Sequence, residues 1–276
     1  MDDKQLKNFL HTATEIALES GKVLEKYWGK LTNIQAKRFT WDLVTEADKE
    51  SEKVILSLLN KSFPSHEILA EESGLVEAKE SDFLWVVDPL DGTTNYTHQY
   101  PMVCVSIALL HQSKPVVGVV YNPILKELFQ TAKEMGNTLN GQQIHVSEVT
   151  TLSQGLLATG FAYDRRETSD NNYAEFCHLT HHSQGVRRSG SAALDLAYVA
   201  AGRLDGFWER GLKPWDMAAG AILIEEAGGK ISSYTGGPFD LESGRILASN
   251  NLLHDELVEE LRKVRKGKSK SPFLRR

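Results

Sequence analysis

Residues Phe83-Leu84-Trp85-Val86-Val87 form an unbroken apolar run that ends in Asp88-Pro89-Leu90-Asp91-Gly92-Thr93. A short run rich in β-branched and aromatic side chains, without polar alternation, reads as a strand buried on both faces. Such a strand needs a covering layer above and below it, so this run commits the chain to a stacked architecture.

The remaining patterns supply the layers. Leu6, Phe9, Leu10, Ala13, Ile16, Ala17, Leu24 and Tyr27 share one face of a helix over 6–28. Val54, Ile55, Leu58 and Leu59 are the buried stripe of a second helix, opened by Thr45 and Asp48 at capping-box spacing. Residues 68–70 read as a short strand running into Glu71, 103–110 and 115–121 as longer strands, and 128–146 as strands joined by tight turns. Strands and helices then alternate: a strand at 156–158, a polar stretch at 164–172, a helix at 173–182, and a small-residue helix opened by Ser189-Gly190-Ser191 and ending at Gly202. A strand at 204–208, a helix at 215–227, strands at 231–234 and 246–248, and a helix at 255–264 complete the chain. The expected fold is α/β (α+β), one layered domain over 1–262 with halves at about 1–147 and 148–262, followed by a basic flexible tail at 263–276.

A net charge of −6 over 276 residues argues against a general polyanion binder, so no nucleic-acid partner is expected. The terminal sequence RKVRKGKSKSPFLRR is basic, so the body is more acidic than the total. An acidic body that takes an anionic substrate needs metal cations to offset repulsion. Two cysteines, Cys104 and Cys177, make no disulfide framework. The N-terminus lacks a signal-peptide layout. No apolar stretch approaches the roughly 18 residues of a membrane span. The expected setting is cytoplasmic, with no membrane partner.

Asp88 is placed at the end of its strand, where Pro89 is expected to lead the chain out of the ladder. Gly92 and Thr93 open a helix whose free N–H groups face a phosphate. Two carboxylates beside an anion-binding turn are compatible once a divalent metal lies between them, and hard oxygen donors suit Mg²⁺. The Leu90 carbonyl, between the two acids, is expected to face the same way. The bland alternative is that Asp88 and Asp91 cap a turn and a helix. Glu71 after a strand and Asp216 at a helix start bring the acids to four, the number a two-metal site requires.

Asp88-Pro89-Leu90-Asp91-Gly92-Thr93 and Trp215-Asp216-Met217-Ala218-Ala219-Gly220 resemble the two signature motifs of the inositol monophosphatase family. Leu43-Val44-Thr45-Glu46-Ala47-Asp48, Glu71-Glu72-Ser73, Asn140-Gly141 and Glu225-Glu226-Ala227-Gly228-Gly229 match further blocks of that family, so the resemblance runs from the first helix to the last. It implies an α-β-α-β-α sandwich of the inositol monophosphatase/fructose bisphosphatase type. It also implies two or three Mg²⁺ ions per subunit. Glu71, Asp88 and the Leu90 carbonyl would hold the ion that activates the attacking water; Asp88, Asp91 and Asp216 would hold the one at the leaving oxygen. Thr93 would hydrogen-bond the nucleophilic water, and the Gly92 and Thr93 amides would grip the phosphate. Glu209 would accept ring hydroxyls of the substrate, with Gly190, Ser191 and Ala192 lining the same pocket beside Asp216. Many relatives carry Thr where Ser191 stands.

The function implied is Mg²⁺-dependent hydrolysis of a small phosphate monoester, with myo-inositol 1-phosphate first, by a lithium-sensitive homodimer. Histidinol-phosphate hydrolysis is the alternative within the class, and a regulatory protein that binds partners on the same fold is the alternative outside it. His178, His181 and His182 have a spacing compatible with zinc but no evident fourth ligand, so they read as a solvated helix face. Asp164-Arg165-Arg166-Glu167 reads as an exposed, salt-bridged loop, and Lys37 as part of a mobile loop near the metals.

Overall fold

The computed structural model describes residues 1–77 and 81–265; most of the expected tail therefore lies outside the described residues. Helices α1 (Asp3–Tyr27) and α2 (Glu46–Ser62) flank a small hairpin, β1 (Ile34–Ala36) with β2 (Leu43–Thr45). Next come β3 (Glu67–Ala70), β4 (Gly74–Val76), β5 (Phe83–Asp91), the short helix α3 (Thr93–Thr97), β6 (Cys104–His111), β7 (Lys114–Asn122), β8 (Glu127–Ala132), β9 (Asn137–Leu139) and β10 (Gln142–Gln143). The second half carries β11 (Leu156–Thr159), α4 (Tyr173–His182), β12 (Gly185–Arg187), α5 (Ala192–Ala200), β13 (Gly206–Arg210), α6 (Pro214–Glu226), β14 (Lys230–Ser232), β15 (Arg245–Ser249) and α7 (His254–Arg265).

Eight strands form the larger sheet in the order β10-β9-β8-β7-β6-β5-β3-β4, antiparallel except for the β3–β5 pair. Period-2 alternation sends its side chains into two different cores. Trp85 and Val87 of β5, Val105, Ile107 and Leu109 of β6, and Val117 and Val119 of β7 pack under α1 and α2. Val86, Cys104, Ala108 and Val120 point the other way, against α5 and α6. Those two helices are apolar almost all round because they are sandwiched, touching Ala158, Phe207, Ile246 and Ala248 of the second sheet as well. Small residues allow the close approach: a Cβ on Gly220 would lie 2.5 Å from the Leu196 Cβ, and one on Gly118 would lie 2.8 Å from the Ala219 carbonyl oxygen.

The second sheet, β12-β11-β13-β15-β14, is parallel across β12-β11-β13 and antiparallel across β13-β15-β14. Its outer face, with Leu157, Trp208 and Leu247, is closed by Leu179 of α4 and Leu257 and Leu261 of α7. The layer order is α-β-α-β-α, as the resemblance implies. Among the described residues, no helix is long and apolar enough to cross a membrane.

Four local expectations change. The β5 ladder does not stop at Asp88; it continues to Asp91 across a register shift, with Asp88 opposite Ser106 and Asp91 opposite Cys104. The strand expected to end at Trp208 runs two residues further, to Arg210, and takes in Glu209. The 255–264 helix extends to Arg265, so the expected tail begins inside α7. The β1–β2 hairpin, β4 and β12 have no counterpart among the expected strands; each is only three residues long, too short for a periodic pattern to register.

Candidate active site

The register shift in β5 builds the centre of the site. Asp88 and Asp91 are an odd number of residues apart, so a regular strand would point them to opposite faces. Two ladder positions on β6 correspond to three on β5, and this extra residue around Pro89 returns both acids to one side. Pro89 donates no ladder hydrogen bond, and its carbonyl accepts from the buried Ser51 hydroxyl at 2.9 Å.

Each acid is oriented by its own local structure. Asp88 Oδ1 accepts the Leu90 amide at 2.9 Å. Asp91 Oδ2 accepts from the Ser191 hydroxyl at 2.8 Å and the Ala193 amide at 2.7 Å, so it caps α5 where the Ser191 side chain does not. Asp216, in the first turn of α6, accepts the Lys213 amide at 2.7 Å through Oδ2. For Asp91 and Asp216, the second oxygen meets no protein donor among the described residues. Glu71, just past β3, is held by the Lys37 ammonium at 2.8 Å, and the same ammonium contacts Glu72 at 2.5 Å.

The four acids are one electrostatic unit. Burial pushes the Asp88 carboxyl well above its ordinary value, and the charges of Glu71, Asp91 and Asp216 push it further. Burial likewise raises Glu71, offset by Lys37, and raises Asp216, reinforced by Asp91. Asp91 rises to about 6, again mainly through burial. Four carboxylates facing one another, Asp88 buried and the other three half-buried, with one ammonium in direct contact, are short of positive charge. Hard oxygen donors in that state fit a divalent cation.

Thr93 sits at the first position of α3, and its hydroxyl lies 2.9 Å from Asp48 Oδ1 and 3.2 Å from the Leu90 carbonyl. That carbonyl therefore faces the site, while the Leu90 side chain is buried in the core under α1 and α2. Gly92 precedes Thr93 with φ +96°, and a Cβ there would lie 2.8 Å from the Met102 carbonyl oxygen. In the sequence Asp48 carries the signal of a helix cap alone. Asp48 does cap α2, accepting both the amide (2.8 Å) and hydroxyl (2.6 Å) of Thr45 through Oδ2, but its other oxygen reaches Thr93. An aspartate in place of the usual glutamate at the third helical position was the available signal.

The substrate side is formed by the second sheet. Glu209 is 8% exposed, and its carboxyl is raised well above the ordinary range by burial, against the opposing pull of Arg188. Gly160, at the end of β11, makes room for it: a Cβ there would overlap both carboxylate oxygens. Gly190 has φ +91° and packs against Asn95, whose side-chain amide donates to the carbonyls of Met102 (2.7 Å) and Ser189 (2.8 Å). The loop carrying Gly190, Ser191 and Ala192 is thereby fixed to α3. Asp195 lies deep behind this loop, raised to about 8 mainly by burial and also by Asp91. Gly160 and Asp195 carry no signal as site residues in the sequence, because only the fold brings their segments to Glu209 and Asp91.

The Asp164 loop is salt-bridged as expected. Arg210 pairs with both Asp164 oxygens at 2.8 Å, and Arg38 lies 3.7 Å from Glu167. Trp41 donates to the Tyr163 carbonyl at 3.1 Å and stacks on Phe39, joining the β1–β2 hairpin to this loop.

Comparison with known proteins agrees with this geometry. Residues 5–266 match the model of the inositol monophosphatase family. An inositol-1-monophosphatase from Synechocystis is 55% identical over 93% of this chain and 89% of its own. The Nus factor SuhB of Escherichia coli K12 is 40% identical over 92% of this chain and 95% of its own. The solved inositol monophosphatase of Anabaena (Nostoc) superposes with a TM-score of 0.87 at 55% identity, covering 94% of this chain and 97% of that one. The chain is a phosphoric monoester hydrolase and belongs to the inositol monophosphatase family.

Proposed function

We propose that the protein hydrolyses myo-inositol 1-phosphate to myo-inositol and phosphate, using Mg²⁺ held by Glu71, Asp88, the Leu90 carbonyl, Asp91 and Asp216. The observation that carries this reading is the cluster of four mutually repelling carboxylates beside the α3 N-terminus, with the buried Glu209 across from it. Two or three ions per chain neutralise such a cluster; when bound, they neutralise phosphoryl charge and acidify water.

The chain's own groups do the rest. Asp48 takes the Thr93 hydroxyl proton in a hydrogen bond, which leaves a Thr93 lone pair to receive a proton of the attacking water and fix its direction. The Gly92 and Thr93 amides, with the free N–H groups of the first turn of α3, bind the phosphate oxygens. Glu209 accepts hydrogen bonds from the hydroxyls of a polyol. A buried acceptor of this kind favours a hydroxyl-rich substrate strongly, because an analogue without the hydroxyl leaves the carboxylate unpaired. Gly190, Ser191 and Ala192 shape the same wall. The Lys37 ammonium occupies the Glu71 corner, the place where Glu71 would hold a metal. Action as a homodimer in the cytoplasm, with inhibition by lithium, completes this reading.

Phosphate release from inositol 1-phosphate and histidinol phosphate, assayed side by side with Mg²⁺, tests it. Preference for the inositol ester supports the Glu209 assignment. Preference for histidinol phosphate keeps the hydrolytic centre and overturns the substrate. A second reading rests on the 40% identity to a Nus factor: the fold also binds a partner protein. Partner capture that survives Asp216→Asn would support that additional role.

A further inference from the structure

Outside the carboxylate site, the described residues hold a second group of metal-ligating side chains. His178 and His182 lie one turn apart on α4, a spacing that puts two imidazoles on one helix face. Glu260 of α7 meets them from the opposite helix, with Oε2 2.6 Å from His178 Nε2. Each of the three residues offers a ligand atom, and these atoms lie within 4.8 Å of one another. The imidazole rings of His178 and His182 lie side by side, with centroids 4.3 Å apart and planes tilted by 33°.

The surroundings orient His182 and Glu260 for coordination, whereas His178 Nε2 donates its proton to Glu260 Oε2 and would release it to solvent when a cation takes its place. His182 Nδ1 lies 2.8 Å from the His178 carbonyl, which only accepts; Nδ1 therefore carries the proton, and the lone pair is on Nε2. A ligating histidine normally has its other nitrogen fixed to a carbonyl in this way. Glu260 is held through Oε1 by the Lys263 ammonium at 2.6 Å, which leaves Oε2 on the histidine side. His178 is 1% exposed and Glu260 9%, so the carboxylate is kept out of bulk water beside the ring.

We propose that His178, His182 and Glu260 form a transition-metal site, with Zn²⁺ as the best-suited ion, which clamps α4 to α7. Two imidazoles, one carboxylate and an open position for water make a common zinc donor set, whereas Mg²⁺ prefers oxygen ligands alone. The two sites therefore sort their metals by donor chemistry. Of the three histidines the spacing offered, His181 stays outside the group and Glu260 takes its place. Glu260 is 82 residues from His178 and reaches it only because both helices cover the outer face of the second sheet.

The test uses the full chain with excess Mg²⁺, so that the carboxylate site holds its own ion. Zinc uptake is measured by dialysis with metal analysis, and Co²⁺ is titrated while its visible ligand-field band is followed. About one Zn²⁺ per chain is expected, with a Co²⁺ band of imidazole-containing, low-coordinate type and a higher thermal midpoint in zinc. His182→Gln should weaken zinc binding at least about tenfold and abolish the thermal shift, while Mg²⁺-dependent phosphate release stays within about twofold. Glu260→Gln, which keeps the side-chain volume, should weaken binding in the same way if His182→Gln perturbs α4. Zinc uptake unchanged in both variants, or no uptake by the parent chain in excess Mg²⁺, overturns the proposal.

Discussion

Replacing Asp48 by Asn should switch off catalysis while leaving the fold intact or more stable, and the hydrogen bonds determine why. Asp48 Oδ2 accepts two donors, the Thr45 amide and hydroxyl, so an asparagine must put its carbonyl there. Turning it the other way would set amide N–H against amide N–H and cost about 1–3 kcal/mol. The NH₂ group then occupies the Oδ1 position, 2.9 Å from the Thr93 oxygen, and donates where the carboxylate accepted. The Thr93 hydroxyl is turned onto the Leu90 carbonyl, and the lone pair meant for the attacking water is consumed. Loss of one positioned proton acceptor typically costs about 10²–10⁴ in rate. Stability moves the other way. Burial raises Asp48 from 3.8 to about 6, and its ionised form at neutral pH therefore costs the folded state about 3 kcal/mol. The neutral amide removes that cost and keeps the cap, so urea unfolding without divalent metal should show no loss. Steady-state phosphate release should show kcat down by about 10²-fold or more, with the Mg²⁺ dependence little changed. A kcat within about threefold of the parent would refute the Thr93–Asp48 role, and a stability loss above about 2 kcal/mol would refute the orientation argument.

Three further outcomes follow from the same geometry. Asp91→Asn should abolish turnover with no loss of metal-free stability, since an amide oxygen still accepts from Ser191 and Ala193 and the charge that burial disfavours is gone; a near-normal rate would sink the metal assignment. Gly160→Ala should raise KM for inositol 1-phosphate about tenfold or more by displacing Glu209, with little effect on an aryl phosphate, and equal losses on both would count against a specificity role. His254, fully buried between the Ser232 and Ser249 hydroxyls, has its pKa lowered from 6.5 to about 4. The unfolded chain takes up that proton below pH 6.5 and the folded chain only near pH 4, so the parent should lose about 3 kcal/mol across this window through His254. His254→Gln should be less stable at pH 7 but lose less on acidification, and parallel pH curves from denaturant titrations would remove His254 from the account.

Much of this molecule is legible in its sequence because the signals are local. The stripe on α1 and the apolar run of β5 each report a covered surface, and Asp88, Asp91 and Asp216 sit in short motifs whose neighbours declare a strand end or a helix start. What a local pattern does not carry is the identity of the covering partner. Asp48 reads as a cap until Thr93, 45 residues later, is folded onto it. Glu209 lies one residue past an expected strand, and only the fold draws it into β13 with Gly160 leaving room for its carboxylate. Pro89 marks an irregularity, but only pairing with β6 shows that the ladder resumes and turns Asp88 and Asp91 to one side. His178 and His182 gain their third ligand only when α7 packs on α4. Side-chain periodicity is decided by water against apolar contact along one segment, so it survives in the sequence. The meeting of distant carboxylates, rings and hydroxyls depends on strand register and layer order, which exist only once the whole chain is packed.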